Sequence, residues 1–319
     1  MLRYLAVVAW LLAGTAAFAQ VITFPARPVR IIVSSAAGGA SDTIARMVAE
    51  RLAARWKQSV VVENRTGGAA VIATEMLARA TPDGHTLALL GSTLATNPAV
   101  RNDLSYNTAR DLTPVLYFGA APAVLTVRAD FPARTPAEFF AAVKAAPGKY
   151  SYGSPGISTN GHRSTELLKR AMGLQITHVP YKGAVPALTD LIGGQIAMLM
   201  ATPTAFMQHI KAGRLKTIAV TSAKRFPTMP DVPTFMESGV PDFDHVEWWM
   251  FMLPAGVPEA IQVRLHGDLS AVVTQVDFKQ RVLDLDIETF GNTREASRAF
   301  LQRELARWAR DAKALGMTP

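Results

Sequence analysis

The sequence predicts an α/β protein of two lobes, each a parallel or mixed sheet flanked by helices, and three observations point there. Apolar strands alternate with amphipathic helices from Val29 onward, the alternation starts afresh near Val124, and the apolar segment Val246 to Leu253 reads as a strand returning to the first lobe. Alternation at this spacing implies right-handed crossovers, with binding loops at the carboxyl ends of the strands.

Each element has its own signal. The strand Val29 to Val33 runs into a Ser/Ala/Gly loop, Ser34 to Ala40, and a helix opens at Ser41-Asp42, carrying Ile44, Met47, Val48, Leu52 and Trp56 at helical spacing to Trp56. Val60 to Val62 is a second strand, followed by a helix from about Ala70 to Ala80 that Pro82-Asp83-Gly84 stops. Thr86 to Leu90 is a third strand, closing in Gly91-Ser92-Thr93. In the second lobe the strands are Ala123 to Val127, Tyr150 to Gly153, Ile176 to Val179, Gln195 to Met200 and Leu215 to Val220. The helices between them are Pro136 to Ala145, His162 to Met172, Val185 to Ile192 and Pro203 to Ala212. The proline-rich stretch Phe226 to Pro241 is expected to cross the surface, and the helices Pro258 to Val273 and Arg294 to Ala314 to pack on the first lobe.

The first residues read as a secretion signal: Arg3, an apolar run from Leu5 to Leu12, and small residues at Ala17 and Ala19, with cleavage after Ala19. The expected division is therefore a signal peptide over 1–19, a first lobe over 20–123 plus 247–319, and a second lobe over 124–246. No cysteine occurs, which excludes a lipid-modified Cys, disulfides and thiolate metal sites. The formal charge of +8 is scattered over helix faces with no dense basic run, and export argues against nucleic acid as a partner.

The strand, small-residue loop and helix N-terminus at Gly38, Gly39, Ala40, Ser41 and Asp42 form an anion-binding cup, because first-turn N–H groups lack intrahelical partners and the helix dipole stands behind them. Ser154-Pro155-Gly156-Ile157-Ser158-Thr159 repeats that design in the second lobe. Two facing cups would clamp a small organic acid, with the hydroxyls of Ser92, Thr93, Ser154 and Thr159 orienting it. Asp42 reads as a helix-capping or first-turn residue. Lys182 reads equally as a ligand-facing cation or a solvated loop lysine. Of Trp248 and Trp249, at most one would line the cleft, since neighbours on a strand face opposite ways.

Catalytic signals are weak. There is no dinucleotide or phosphate-loop fingerprint, no G-x-S-x-G and no H-E-x-x-H, and the six histidines are spread singly, so neither cofactor nor metal is expected. One enzymatic alternative stays open: a secreted hydrolase using Ser158 or Thr159 with His162.

Pro28 to Val33 followed by Gly38-Gly39 and Asp42, then Val60-Val61-Val62-Glu63-Asn64-Arg65, Pro82-Asp83-Gly84-His85-Thr86-Leu87, Asn97-Pro98, His178-Val179-Pro180-Tyr181-Lys182-Gly183, Ala219-Val220-Thr221-Ser222 and Pro230-Asp231-Val232-Pro233-Thr234 form an ordered series. With it the chain resembles the substrate-binding proteins of tripartite tricarboxylate transporters, the Bug family. The resemblance implies a type II periplasmic-binding-protein, or Venus-flytrap, architecture and a monomer that delivers a small carboxylate to a two-subunit membrane permease. A membrane sensor kinase is an alternative partner. Carried over by position, the ligand site would comprise Gly38, Gly39 and Asp42 with their neighbours Ala40 and Ser41, then Ser92, Thr93, the Ser154 to Thr159 loop with His162, and Tyr181, Lys182 and Gly183. Many members carry an aspartate where this chain has Ala201, and its loss removes the counter-charge for a ligand ammonium. A ligand without an amino group is expected, and whether Arg163 faces the cleft is left open.

Overall fold

The computed structural model describes residues 24–317, and the expected secretion signal lies outside them. In chain order the first elements are β1 (Val29–Val33), α1 (Ala40–Trp56), β2 (Val60–Asn64), α2 (Val71–Ala78), β3 (Thr86–Gly91), α3 (Thr93–Val100), α4 (Thr108–Asp111) and β4 (Leu112–Pro122). Next come β5 (Val124–Arg128), α5 (Pro136–Lys144), β6 (Ser151–Ser154), α6 (Asn160–Met172), β7 (Thr177–Pro180), α7 (Ala184–Ile192), β8 (Met198–Ala201), α8 (Met207–Lys211) and β9 (Leu215–Val220). The chain ends with β10 (Val246–Pro254), α9 (Glu259–Val273), α10 (Val276–Leu283), β11 (Glu288–Thr289) and α11 (Arg294–Leu315).

Two mixed sheets result. The six-stranded one has the order β11-β4-β10-β3-β1-β2, with β2, β1 and β3 parallel and β10 antiparallel to both β3 and β4. The five-stranded one has the order β7-β6-β8-β5-β9, with β7, β6 and β8 parallel and β5 antiparallel to β8 and β9. The chain passes between them twice, from β4 to β5 and from β9 to β10. Both passages meet at Thr221, whose hydroxyl oxygen accepts from the Ala123 N–H at 2.9 Å and donates to the His245 carbonyl.

Strand periodicity sorts the first lobe's core into two layers. Trp249, Phe251 and Leu253 of β10 join the cluster under α1 and α9, while Trp248, Met250 and Met252 join the cluster under α11. Each tryptophan has a polar partner for its indole N–H: Trp248 donates to Glu304 Oε2 at 3.1 Å and Trp249 to Ser41 Oγ at 2.9 Å. Both side chains are buried, so neither lines an open cleft.

Three expectations change. Leu112–Pro122, which the sequence pattern left unassigned, is an eleven-residue strand and the main partner of β10. The stretch Phe226 to Pro241 does not simply cross the surface, because Phe235 and Val240 are fully buried in the second lobe's core. The helix expected over Pro203 to Ala212 is a single 3₁₀ turn followed by the five-residue α8.

The first lobe also holds a buried carboxylate that gives it an acid limit. Asp268 accepts from Trp56 Nε1 (2.7 Å), Arg55 Nε (2.5 Å) and Arg264 Nε (2.6 Å). Burial pushes its pKa up, but these three donors outweigh burial and hold it below the ordinary value of 3.8. A depressed native pKa adds stability that is present above the unfolded-state value and lost as pH falls through the native one. Asp268→Asn is therefore expected to lower stability at pH 7 by about 1–3 kcal/mol and to flatten the loss of stability below about pH 4, as read by denaturant titrations at successive pH values. An unchanged acid limb would show that other carboxylates set it.

Candidate functional site

Because β1, β2 and β3 run parallel, their carboxyl ends open on one edge of the first sheet, and the ends of β6, β7 and β8 do the same in the second. These edges adjoin. Ser41 at the start of α1 contacts Trp249, Trp249 lies opposite Gly91 in the β3–β10 ladder, and Ser92 beyond Gly91 accepts from Arg163 Nη2 at 2.7 Å. Arg163 belongs to the first turns of α6, so this series of contacts brings the opening turns of α1 and α6 to the boundary between the lobes.

In the first cup Gly39 is the helix N-cap, two to three residues before the expected opening, and Gly38 takes a φ of +80° that suits glycine. Asp42 is buried and holds the loop together from within. It accepts from the Gly38 N–H (2.9 Å), Asn64 Nδ2 (2.9 Å) and Arg46 Nε (3.0 Å). Burial opposes its charge, yet these donors keep its pKa below the ordinary carboxylate value. Asn64 also donates to the Ser35 carbonyl at 2.9 Å, which fastens the β2 loop to the cup. Among the described residues the backbone N–H groups of Ala40 and Ser41 have no hydrogen-bond partner. Ser41 receives the Trp249 indole proton, leaving its own hydroxyl proton to donate elsewhere.

In the second cup the hydroxyls of Ser154 and Thr159 are bonded within the protein and shape the loop. Ser154 Oγ meets the Gly156 carbonyl (3.1 Å) and His178 Nε2 (2.8 Å), and Thr159 Oγ1 donates to the Gly156 carbonyl at 2.7 Å. Ser158 adopts a left-handed φ of +63°, and its main-chain N–H donates to His162 Nδ1 at 3.2 Å. The His162 ring stacks on His178 at 4.3 Å, and His178 stacks on Tyr152 at 4.7 Å. Burial, then the neighbouring His178, lowers His162 to a pKa of about 4, so it is neutral at pH 7. Among the described residues the N–H groups of Asn160, Gly161 and His162 have no protein partner.

Other positions divide clearly. Ser92 is fully buried and gives both its N–H (3.0 Å) and its hydroxyl (2.7 Å) to the Glu247 carboxylate, while Thr93 beside it is half-buried at the start of α3. Tyr181 donates its hydroxyl to Asp190 at 2.7 Å. Lys182 is exposed on the same loop, and Gly183, with a φ of +125°, caps α7. Ala201 is the last residue of β8, not a loop residue, and packs in the apolar cluster with Leu199 and Val220. The hydrolase pairing is not formed: His162 meets Ser158 through its main chain, and Thr159's hydroxyl is bonded to Gly156. Among the described residues no group of three His, Asp or Glu side chains is placed to hold a metal. Arg163 and Glu247 are the residues that sequence reasoning left unresolved or missed. The signal for Arg163 was its place on the α6 face shared with Asn160, Ser164 and Leu168, all buried.

Two α/β lobes with unpartnered main-chain donors at their boundary make the architecture of a solute-binding protein of the periplasmic kind. Residues 44–317 match the family described as "Tripartite tricarboxylate transporter family receptor", and the chain belongs to it. It is 33% identical over 313 residues to the protein BugT of Bordetella pertussis, covering 97% of this chain and 96% of that one. Among solved structures it is similar to BugD, described as a periplasmic binding protein (33% identity, TM-score 0.85, 92% of this chain and 99% of that one). It is likewise similar to Rpa4515 of R. palustris with adipate (32% identity, TM-score 0.87, 93% and 99%) and to MatC of Rhodopseudomonas palustris with bound malate (30% identity, TM-score 0.82, 90% and 99%).

Proposed function

We propose that the protein captures a small organic carboxylate lacking an amino group in the interlobe crevice and delivers it, from the periplasm, to the two-subunit permease of a tripartite tricarboxylate transporter. The carrying observation is the set of unpartnered main-chain N–H groups at the openings of α1 and α6, which the Arg163–Ser92 contact brings to the lobe boundary. Main-chain donors backed by helix dipoles favour a carboxylate, and charge-assisted hydrogen bonds are about twice as strong as neutral ones. The adipate and malate carried by relatives of 32% and 30% identity are acids of this class. Capture would close the lobes 20–123 plus 247–319 and 124–246 on each other, since contacts to both stabilise the closed state over the open one.

Exclusion of amino acids follows from what the cups lack. Ala201 is apolar, and the Asp42 carboxylate is already engaged by Gly38, Asn64 and Arg46. Lys182, exposed on its loop, would meet a second carboxylate.

A thermal-shift screen against adipate, malate, citrate and benzoate, with aspartate and glutamate beside them, tests the reading. A ligand present at one hundred times its Kd stabilises the native form by about 2.7 kcal/mol, so at least one acid is expected to raise the midpoint by several degrees while aspartate and glutamate do not. A response to the amino acids alone would overturn the amino-free class, and product formation from a bound acid would overturn capture without chemistry.

A further inference from the structure

Arg163 is 1% exposed and makes no approach to solvent, yet it carries a charge between the two lobes. Its guanidinium forks, with Nη1 donating to the Ser158 carbonyl at 2.6 Å and Nη2 to Ser92 Oγ at 2.7 Å. Ser92 passes the interaction on, donating its hydroxyl to Glu247 Oε2 at 2.7 Å. The guanidinium also stacks over Trp308 at 4.3 Å, while its Nε has no partner. Gly91 makes room for this arrangement, since a Cβ there would lie 2.5 Å from Glu247 Oε1.

A buried charge of this kind is an inefficient source of stability, because desolvation costs several kcal/mol and an apolar replacement is often as stable. Its geometry addresses a different problem. A non-glycine residue in the left-handed region costs about 1–2 kcal/mol, and Ser158 holds a φ of +63° in the loop that presents the α6 donors. With its N–H on His162 and its carbonyl on Arg163, both peptide planes of Ser158 are fixed.

We propose that Arg163 is the positioning residue of the second cup, holding the Ser154–Thr159 loop in its binding shape and tying that shape to the first lobe through Ser92 and Glu247. Its effect on acid affinity rests on the carboxylate reading above; its effect on the loop does not.

The double variant Arg163→Met/Glu247→Gln removes both charges together, so neither is left buried alone. It is expected to keep the native circular dichroism and to raise exchange of the bonded amides Gly156, Ser158 and Thr159 of the protein without acid by at least tenfold, with exchange in β3 unchanged. Arg163→Lys keeps the charge but loses the fork that reaches both oxygens, and it is expected to fall between the two. Should the double variant not fold, Arg163→Lys carries the same comparison. Adipate and malate titrations on each form are expected to show a Kd raised about tenfold in the double variant. Unchanged exchange at Gly156, Ser158 and Thr159, or an equal rise in every segment, would overturn the inference. Loosened loop exchange in a protein whose parent binds no acid would leave it standing and sink the carboxylate reading.

Discussion

Gly161→Ala is expected to abolish acid binding, while the same substitution at Gly267 leaves binding intact and raises stability slightly. Gly161 lies in the first turn of α6, where a Cβ would stand 1.9 Å from the Met200 carbonyl oxygen and 2.9 Å from its carbon. Those are main-chain atoms of β8, which is paired to both β5 and β6 and has no direction in which to yield. The helix must lift instead, carrying the Asn160, Gly161 and His162 donors away from the crevice. Overpacking of this kind costs about 1–3 kcal/mol of stability, and a displaced donor set loses more than a hundredfold in affinity at about 1.4 kcal/mol per decade. Gly267 is exposed in α9 with nothing within 4 Å of its absent Cβ. Alanine there is expected to add about 0.5–1 kcal/mol through helix propensity. Calorimetric titration of both variants, with thermal midpoints, checks the pair; tight acid binding by Gly161→Ala would show that the α6 N-terminus is not part of the site.

The contrast between these two glycines marks where sequence reading stops. Alternation of strand and helix was legible because each sheet buries regular apolar stripes, so β1, β3 and β9 lie within a residue of their expected bounds. β4 was not, since Pro114, Gly119 and Pro122 interrupt it and its apolar residues show no period of two; β10 pairs with it from Val246 to Pro254, with two register shifts along the way. The loops at both cups read as loops, and their small residues as cups. What could not be read was the destination of each hydroxyl: Ser92, Ser154 and Thr159 carry the right groups, and only the folded main chain decides that these meet Glu247, His178 and Gly156. Gly161 and Gly267 are alike in sequence for the same reason. Only tertiary approach distinguishes a glycine that must be one from a glycine that need not.

Phe118→Ala is expected to lower stability by about 3–5 kcal/mol, the cost of removing a fully buried phenylalanine and leaving a cavity. Phe118 sits in β4 and meets Phe251 of β10 edge-on at 6.1 Å and Phe278 of α10 at 6.3 Å. It thus joins the two strands that lead to and from the second lobe to a helix whose end touches that lobe. Beyond α10, the Leu285 carbonyl accepts from Thr204 Oγ1 at 2.8 Å and the Asp286 carboxylate accepts from Thr228. With the Arg163 bond to Ser92 at 2.7 Å and the Arg307 bond to the Asp244 carbonyl at 2.9 Å, these ties couple the unfolding of one lobe to the other. Tryptophan placement makes the coupling measurable. Among the described residues Trp56, Trp248, Trp249 and Trp308 all pack on the first sheet, so indole fluorescence reports the first lobe while far-ultraviolet circular dichroism reports both. Urea titrations of Phe118→Ala are expected to move both signals to the same lower midpoint with an unchanged slope. A fluorescence transition that shifts alone, with part of the circular dichroism change left at the parent midpoint, would show that the lobes unfold separately and that the interlobe contacts carry little energy.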